Sequence, residues 1–174
     1  MSITARQKKR FYFFAFTLAL SLNCLAESYV DVVPLGLSIT GRINAHNDVA
    51  NQVYYLNSSE LLSLPQHKLV TATPWTPVAE FKGPLLEDVL QRVKATGQYL
   101  DIVAYDGYVA RDVPVTDLTK FHPVLAYMKD GVFLKLRNLG PLFLVYPLDS
   151  NQRSLRTSDY SMREIRQIRS ITVK

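Results

Sequence analysis

Phe81-Lys82-Gly83-Pro84-Leu85-Leu86-Glu87-Asp88-Val89-Leu90 is the stretch on which the reading of the fold turns. Its proline stands where the first turn of a helix has no use for an amide donor. Leu86, Val89, Leu90 and Val93 then recur at the spacing of one helical face, and Gly97 supplies a stop. The pattern predicts one amphipathic helix over Pro84–Thr96. Everything around it is more strand-like. Tyr29–Val33, Leu37–Ile43, Lys68–Thr73, Leu100–Ala104, Val109–Val113, Val124–Met128, Val132–Leu136, Leu142–Val145 and Ile168–Val173 are short runs rich in β-branched or aromatic residues and punctuated by Pro, Gly or Asp-Gly. Two further helical pieces are predicted. Ser58–Leu64 is capped by serine and stopped by Pro65, and Val115–Phe121 has Thr116 and Asp117 as starters. The fold class is α+β, mostly β.

The N-terminal end reads differently. Arg6, Lys8, Lys9 and Arg10 precede an apolar run, Phe11–Leu22, and then Asn23-Cys24-Leu25-Ala26. This is the basic region, apolar core and small-residue cleavage site of a secretory signal peptide. The run is about 12 residues, short of the roughly 20 that span a bilayer. Asn23 before Cys24 makes a poor lipoprotein site. The expected organisation is a signal peptide over 1–26, cleaved after Ala26, and a single exported, periplasmic domain over 27–174.

Removing that segment changes what the charge means. The chain holds 20 Lys+Arg and 15 Asp+Glu, a net of +5. Four of the basic residues and none of the acidic ones precede Glu27, which leaves 16 against 15 in the domain. A near-neutral domain gives no argument for nucleic acid or anionic lipid. Arg153, Arg156, Arg163, Arg166 and Arg169 form a local basic concentration, read either as a solvated face or as the source of one ligand-facing guanidinium. The chain's one cysteine, Cys24, lies in the signal, so the domain has no disulfide to lean on.

The common catalytic arrangements are missing. There is no Gly-x-Ser-x-Gly elbow and no glycine-rich phosphate loop ending in Lys-Ser/Thr. His46, His67 and His122 show no ligand spacing for a metal, and Asp101 with Asp106 is an unspecific carboxylate pair. Aromatic and turn chemistry remains. Tyr105-Asp106-Gly107-Tyr108 is a tight turn between strands. Thr71-Ala72-Thr73-Pro74-Trp75-Thr76 carries the single tryptophan. By itself the first reads as a plain hairpin with two tyrosines, and Trp75 as a core or hinge residue.

Taken in order, Phe81-Lys-Gly83 with Pro84–Leu90, Ala104–Tyr108, Leu125–Gly131 and Gly140-Pro-Leu-Phe-Leu-Val-Tyr-Pro147 resemble the molybdopterin-binding domain of the sulfite oxidase superfamily. The resemblance runs over about residues 29–174. It implies the sulfite-oxidase-type molybdopterin-binding fold. In that superfamily a cysteine thiolate holds the molybdenum, and a soft ligand suits that metal's sulfur-rich environment. No cysteine follows Ala26 here, so the resemblance is to a small exported pterin-binding subgroup without the metal ligand.

The same resemblance implies a site. Asp106, Tyr105 and Tyr108 belong to the strand end that borders the cofactor pocket. Trp75, with Thr71 and Thr73 as polar neighbours, stands where redox-active relatives carry the cysteine segment, and its ring suits stacking on a pterin. Met162–Ile168 resembles the family's closing strand, in which Arg163 and Gln167 keep the pattern and Arg166 replaces a tryptophan. That favours Arg163 as the ligand-binding guanidinium, whose planar fork matches a pterin's carbonyl and ring-nitrogen edge.

The implied function is pterin binding without redox catalysis, as an accessory or sensor protein for the periplasmic domain of a membrane signalling partner, a cyclic-di-GMP enzyme or a sensor kinase. A pterin is the expected ligand, and no molybdenum is expected. Two alternatives stay open: a molybdopterin-dependent oxidoreductase with a non-cysteine metal environment, and an interaction domain that binds no ligand.

Overall fold

The apolar stripe of the decisive stretch does become a buried helix. In the computed structural model, which describes residues 34–149 and 158–174, helix α2 covers Leu86–Arg92. Leu86, Val89 and Val93 are fully buried. Seven residues are too few to hold a helix on propensity alone. Burial of that face, worth roughly 1.5–3 kcal/mol for each large apolar side chain, holds it instead.

The helix is shorter than the sequence suggests, and both ends have a reason. At the start, the Leu86 amide donates to the Pro123 carbonyl and the Leu125 amide to the Pro84 carbonyl, so residues 84–85 belong to a strand bridge. At the end, Lys94 adopts a left-handed φ of 51° and turns the chain three residues before Gly97. Gly83 has its own explanation: a Cβ there would collide with the backbone of Leu125. That close approach of two strands is what the glycine permits.

Around α2 the chain builds three sheets. The first has the order β2-β1-β11-β5-β6, from Tyr54–Asn57, Gly36–Gly41, Ile168–Val173, Tyr99–Ala104 and Val109–Pro114. β1 and β11 run parallel, with Ser38 opposite Ser170 and Gly41 opposite Val173, and the other pairs are antiparallel. The second sheet is antiparallel, in the order β3-β4-β8-β9, from His67–Thr73, Thr76–Gly83, Met128–Lys129 and Val132–Phe133. The third pairs β7, Val124–Ala126, with β10, Phe143–Val145. The remaining helices are α1 (Ser58–Ser63), α3 (Thr116–Phe121) and α4 (Ser158–Arg163).

One large core lies against the first sheet and α2, with Ile39, Leu56, Leu100, Ile102, Leu118 and Ile171 among its buried members. A smaller one, built on Phe81, Ala126, Phe143 and Val145, lies between the second and third sheets.

Several elements depart from the sequence reading. β4, the longest strand, was not among the predicted strands, and Pro77 stands inside it. The register explains it: Thr71 faces Ala79 and Thr73 faces Thr76, so Pro77 falls in an irregularity where no ladder donor is required. β2 was also missed, although Tyr54 and Leu56 are buried while Tyr55 and Asn57 are exposed. The cap of α1 is Asn57 and not a serine. Its side chain accepts from the Glu60 amide, and Glu60 reaches back to the Asn57 amide. Met162–Ile168 is no strand: α4 ends at Arg163, an irregular passage follows, and β11 begins at Ile168. The strand expected over Tyr29–Val33 and the signal peptide over 1–26 lie outside the described residues. Among the described residues no helix is long and apolar enough to cross a membrane.

Candidate functional site

Two turns and one irregular passage meet at a single hollow. The first turn is the β3–β4 connection. Thr73 Oγ1 accepts from the amides of Trp75 and Thr76, at 3.2 and 3.0 Å, and lies 2.9 Å from Thr76 Oγ1. This local hydroxyl-to-backbone pattern is what a Thr-Pro-Trp-Thr sequence offers a turn. It presents Trp75 at the sheet end, 42% exposed. The indole stands edge-on to Phe143, with centroids 5.6 Å apart, and Phe143 stands edge-on to Phe81. The ring is therefore anchored on the smaller core while much of it remains open.

The second turn joins β5 to β6. Asp106 Oδ1 accepts from the Tyr108 amide at 3.0 Å, and Gly107 takes a φ of 87°. Tyr108 reaches across to donate its hydroxyl to the Met162 carbonyl at 3.3 Å. The third contributor is the passage from α4 into β11. The Leu144 amide donates to the Ile165 carbonyl and the Gln167 amide to the Leu139 carbonyl, so strand-like bonds hold residues 164–167 against β10 and the loop before it.

Trp75, Ala104, Asp106, Tyr108, Glu164, Ile165 and Arg166 enclose a cavity of about 180 Å³. Larger hollows exist, among them one of about 420 Å³ lined by Gln98, Tyr99, Pro114 and Thr116, but that one brings together no ionised side chain. The smaller cavity is the better site on chemistry. It combines an indole face, a carboxylate, a phenol and a guanidinium around an apolar floor, the make-up of a small-molecule pocket. The Arg166 guanidinium lies 5.8 Å from the centre of the Trp75 ring, within cation–π range.

Of the residues singled out from the sequence, Trp75, Asp106 and Tyr108 meet at this cavity. Tyr105 does not line it. Its ring borders a separate hollow with Tyr55, Ser38 and Arg169. Burial raises its phenol above the ordinary range, against an opposing pull from Arg169. Thr71 is fully buried. Its hydroxyl accepts from the Asp149 amide at 3.2 Å, while the Asp149 carboxylate accepts from the Ala72 amide at 2.6 Å. That exchange ties β3 to the loop after β10. Thr73 is engaged in the hairpin turn.

Arg163 is engaged too. Its guanidinium is ion-paired to the buried Asp117 of α3 and lies 4.7 Å from the centre of the Tyr160 ring. The arginine that reaches the cavity is Arg166. It lies over Trp75. His67 and His122 pair separately, with Asp88 and Glu87, and Asp101 is held by Lys174 at 2.8 Å. Among the described residues no three His, Cys, Asp or Glu side chains converge as a metal site would need.

Sequence reasoning passed over Glu164. It is 1% exposed, and Oε1 accepts from the Tyr146 amide at 2.9 Å. Oε2 is buried and has no hydrogen-bond partner among the described residues. Burial raises its carboxyl to about 8, opposed by the Tyr146 amide and assisted by the charge of Asp149. No spacing rule marks such a residue, because a glutamate beside arginines reads as a solvated charge.

No family model matches the sequence, and no curated protein matches it either. The fold does have a solved counterpart. Sulfane dehydrogenase SoxCD from Paracoccus pantotrophus is similar at a TM-score of 0.58 and 15% identity, over 79% of this chain and 37% of that one. The fold is of the sulfite-oxidase type. This chain spans little more than a third of its counterpart's length, so the likeness concerns one portion of a larger protein. At this identity the sulfite-oxidase-type likeness carries architecture and not activity.

Proposed function

We propose that this chain is a pterin-binding protein without redox catalysis, and that its ligand sits in the cavity between Trp75 and Arg166. The observation that carries the reading is the convergence of Trp75, Asp106, Tyr108 and Arg166 on one cavity of about 180 Å³. Drug-sized ligands occupy about 300–1,000 Å³. A hollow of that size suits one flat bicyclic ring. The indole face supplies stacking. Asp106 keeps one carboxylate oxygen beyond the one bonded to Tyr108, ready to accept from an amino-pyrimidine edge. Arg166 supplies N–H donors to the carbonyl side.

The donor set does not fit a thiolate-held molybdenum. No cysteine stands in the Thr71–Thr76 segment or anywhere after Cys24. No reaction step is therefore assigned to that metal, and elemental analysis of the purified protein is expected to find no stoichiometric molybdenum. In this reading the protein is exported and cleaved after Ala26, which intact mass of the secreted form checks. Occupancy of the cavity is then reported to the periplasmic domain of a membrane signalling protein, since a lone binding domain transmits nothing across a bilayer unless a partner responds to its state.

Trp75 is the one indole of the chain, so its fluorescence reports on the cavity directly. Titration with oxidised and reduced pterins is expected to quench it with saturation in the micromolar range. Absence of quenching and of calorimetric heat with every pterin would overturn the proposal and favour the interaction-domain alternative.

A further inference from the structure

We propose that Gln167 is the positioning residue of the Trp75–Arg166 cavity: its left-handed backbone turns Arg166 out of the strand pattern and over the indole. This rests on the pterin reading of the site and adds to it the residue that decides which cation the ligand meets.

Side chains alternate across an extended chain, so Ile165 and Ile168, three positions apart, should face opposite ways. Both are instead buried in the large core. The alternation is therefore broken between them, and the break decides where Arg166 goes. In an unbroken strand Arg166 would share the face of the buried Ile168, where a guanidinium would need a buried partner.

The break lies at Gln167. Its φ is 57°, in the left-handed region that residues with a Cβ seldom occupy. The other described non-glycine residues with such a φ have local reasons for it. Lys94 and His122 close helices α2 and α3, Gln52 and Asp130 lie in turns, and Asp112 sits at the irregularity of the β5–β6 register. Gln167 stands instead beside a cavity residue, at the entry to β11.

A disfavoured conformation persists only where its surroundings over-determine it. Three hydrogen bonds do so here. The Gln167 amide donates to the Leu139 carbonyl at 3.0 Å, its carbonyl accepts from the Tyr105 amide at 2.8 Å, and its Nε2 donates to the Leu136 carbonyl. The second of these also ties the passage to the turn that carries Asp106 and Tyr108. With the chain turned at 167, Ile168 enters the core. Arg166 stays at the cavity, its guanidinium 5.8 Å from the centre of the Trp75 ring.

The test compares Gln167→Ala with Gln167→Gly. Both lose the side-chain bond to Leu136, but only glycine holds the left-handed turn without strain once that bond is gone. Unsubstituted pterin is the probe, its Kd is read by calorimetry, and thermal unfolding checks that each variant is folded. Gln167→Gly is expected to bind within about threefold of the parent, and Gln167→Ala about fivefold more weakly than Gln167→Gly, inside the left-handed penalty of an L-residue. In an Arg166→Ala background that gap is expected to close, because a residue acting through the guanidinium has nothing left to position. A purely structural role would show in the melting temperature and not in this gap.

A second readout needs no ligand. A cation over an indole alters its fluorescence, so the Trp75 emission of free Gln167→Ala is expected to move toward that of Arg166→Ala. Gln167→Gly should keep the emission of the parent.

Equal affinities for the two Gln167 variants, or a gap that persists without the Arg166 guanidinium, overturns the inference and leaves the pterin reading standing. Identical Trp75 emission from the two free variants overturns it as well. No pterin binding by the parent overturns both readings. Should Gln167→Ala not fold, carbon chemical shifts of Gln167 in the parent decide. A left-handed signature, with parent-like pterin affinity in Gln167→Gly, supports the inference, and an extended signature overturns it.

Discussion

Arg163 and Arg166 lie three residues apart on one segment, and the fold uses them in opposite ways. Arg163 closes α4 and turns inward. It pairs with the buried Asp117 and lies over Tyr160, while Tyr160 stands edge-on to Phe121 and Tyr146. Arg166 follows the helix, in the irregular passage before β11, and its guanidinium lies over the exposed Trp75 at a cavity edge. Between them, Glu164 and Ile165 are buried. A cation whose donors are taken by a buried carboxylate is a structural element, and a cation over an open ring is available to a ligand. The difference teaches that motif position does not decide which arginine recognises a ligand. The partner that reaches it first does.

The comparison can be broken most sharply at Arg163. Arg163→Ala leaves the buried Asp117 without its cation, which costs on the order of 3 kcal/mol. A fall of that size in chemical denaturation, with pterin affinity of the folded fraction unchanged, is expected. A variant as stable as the parent that has lost pterin binding would reverse the roles given to the two arginines.

Trp75→Ala comes next. It should weaken pterin binding by roughly 1–3 kcal/mol, the scale of losing a base–aromatic stack, with a melting temperature close to that of the parent because the ring is 42% exposed. Calorimetric titration measures the first and thermal unfolding the second. A large drop in melting temperature would make Trp75 chiefly a brace for Phe143.

Arg166→Ala is expected to cost roughly 1.5 kcal/mol of pterin affinity, the lower end for a charge-assisted hydrogen bond, with stability unchanged. Set beside Arg163→Ala in the same two assays, it gives the crossed pattern that the comparison requires: one loses stability, the other affinity. The smallest effect belongs to Tyr105→Phe. Its ring borders a different hollow, so pterin affinity should stay within about twofold of the parent, inside the ordinary scatter of surface changes. A clear loss of affinity would mean that the ligand extends around the β5–β6 turn.

Much of the architecture was legible in the chain. α2, α3 and β11, together with β1, β3, β5, β6 and β10, follow from apolar spacing and turn residues, because these elements bury one face and show the rest. β4 was not legible. Pro77 contradicts a central strand unless an irregular register excuses its missing donor, and register is a property of two strands. Tyr105, Asp106 and Tyr108 look equivalent around one Asp-Gly turn, yet the fold sends Tyr105 to one hollow and its two neighbours to another. Thr71 and Thr73 lie close to Trp75 in sequence, but their hydroxyls are taken up by Asp149 and by the hairpin itself.

By itself the sequence determined that this protein has a mostly β domain, that an indole stands at a Thr-Pro-Trp-Thr turn, and that no thiolate follows Cys24. These are properties of composition and of residues within a few positions of one another, where short-range sterics and hydrogen bonding decide. Only the tertiary structure decided which polar groups remain free. Asp117 takes Arg163, the Tyr146 amide takes one oxygen of the buried Glu164, and Arg166 is left at the cavity. The reason is physical. A charged side chain is described by what surrounds it after burial, and residues 46 and 18 positions away in the chain set those surroundings here.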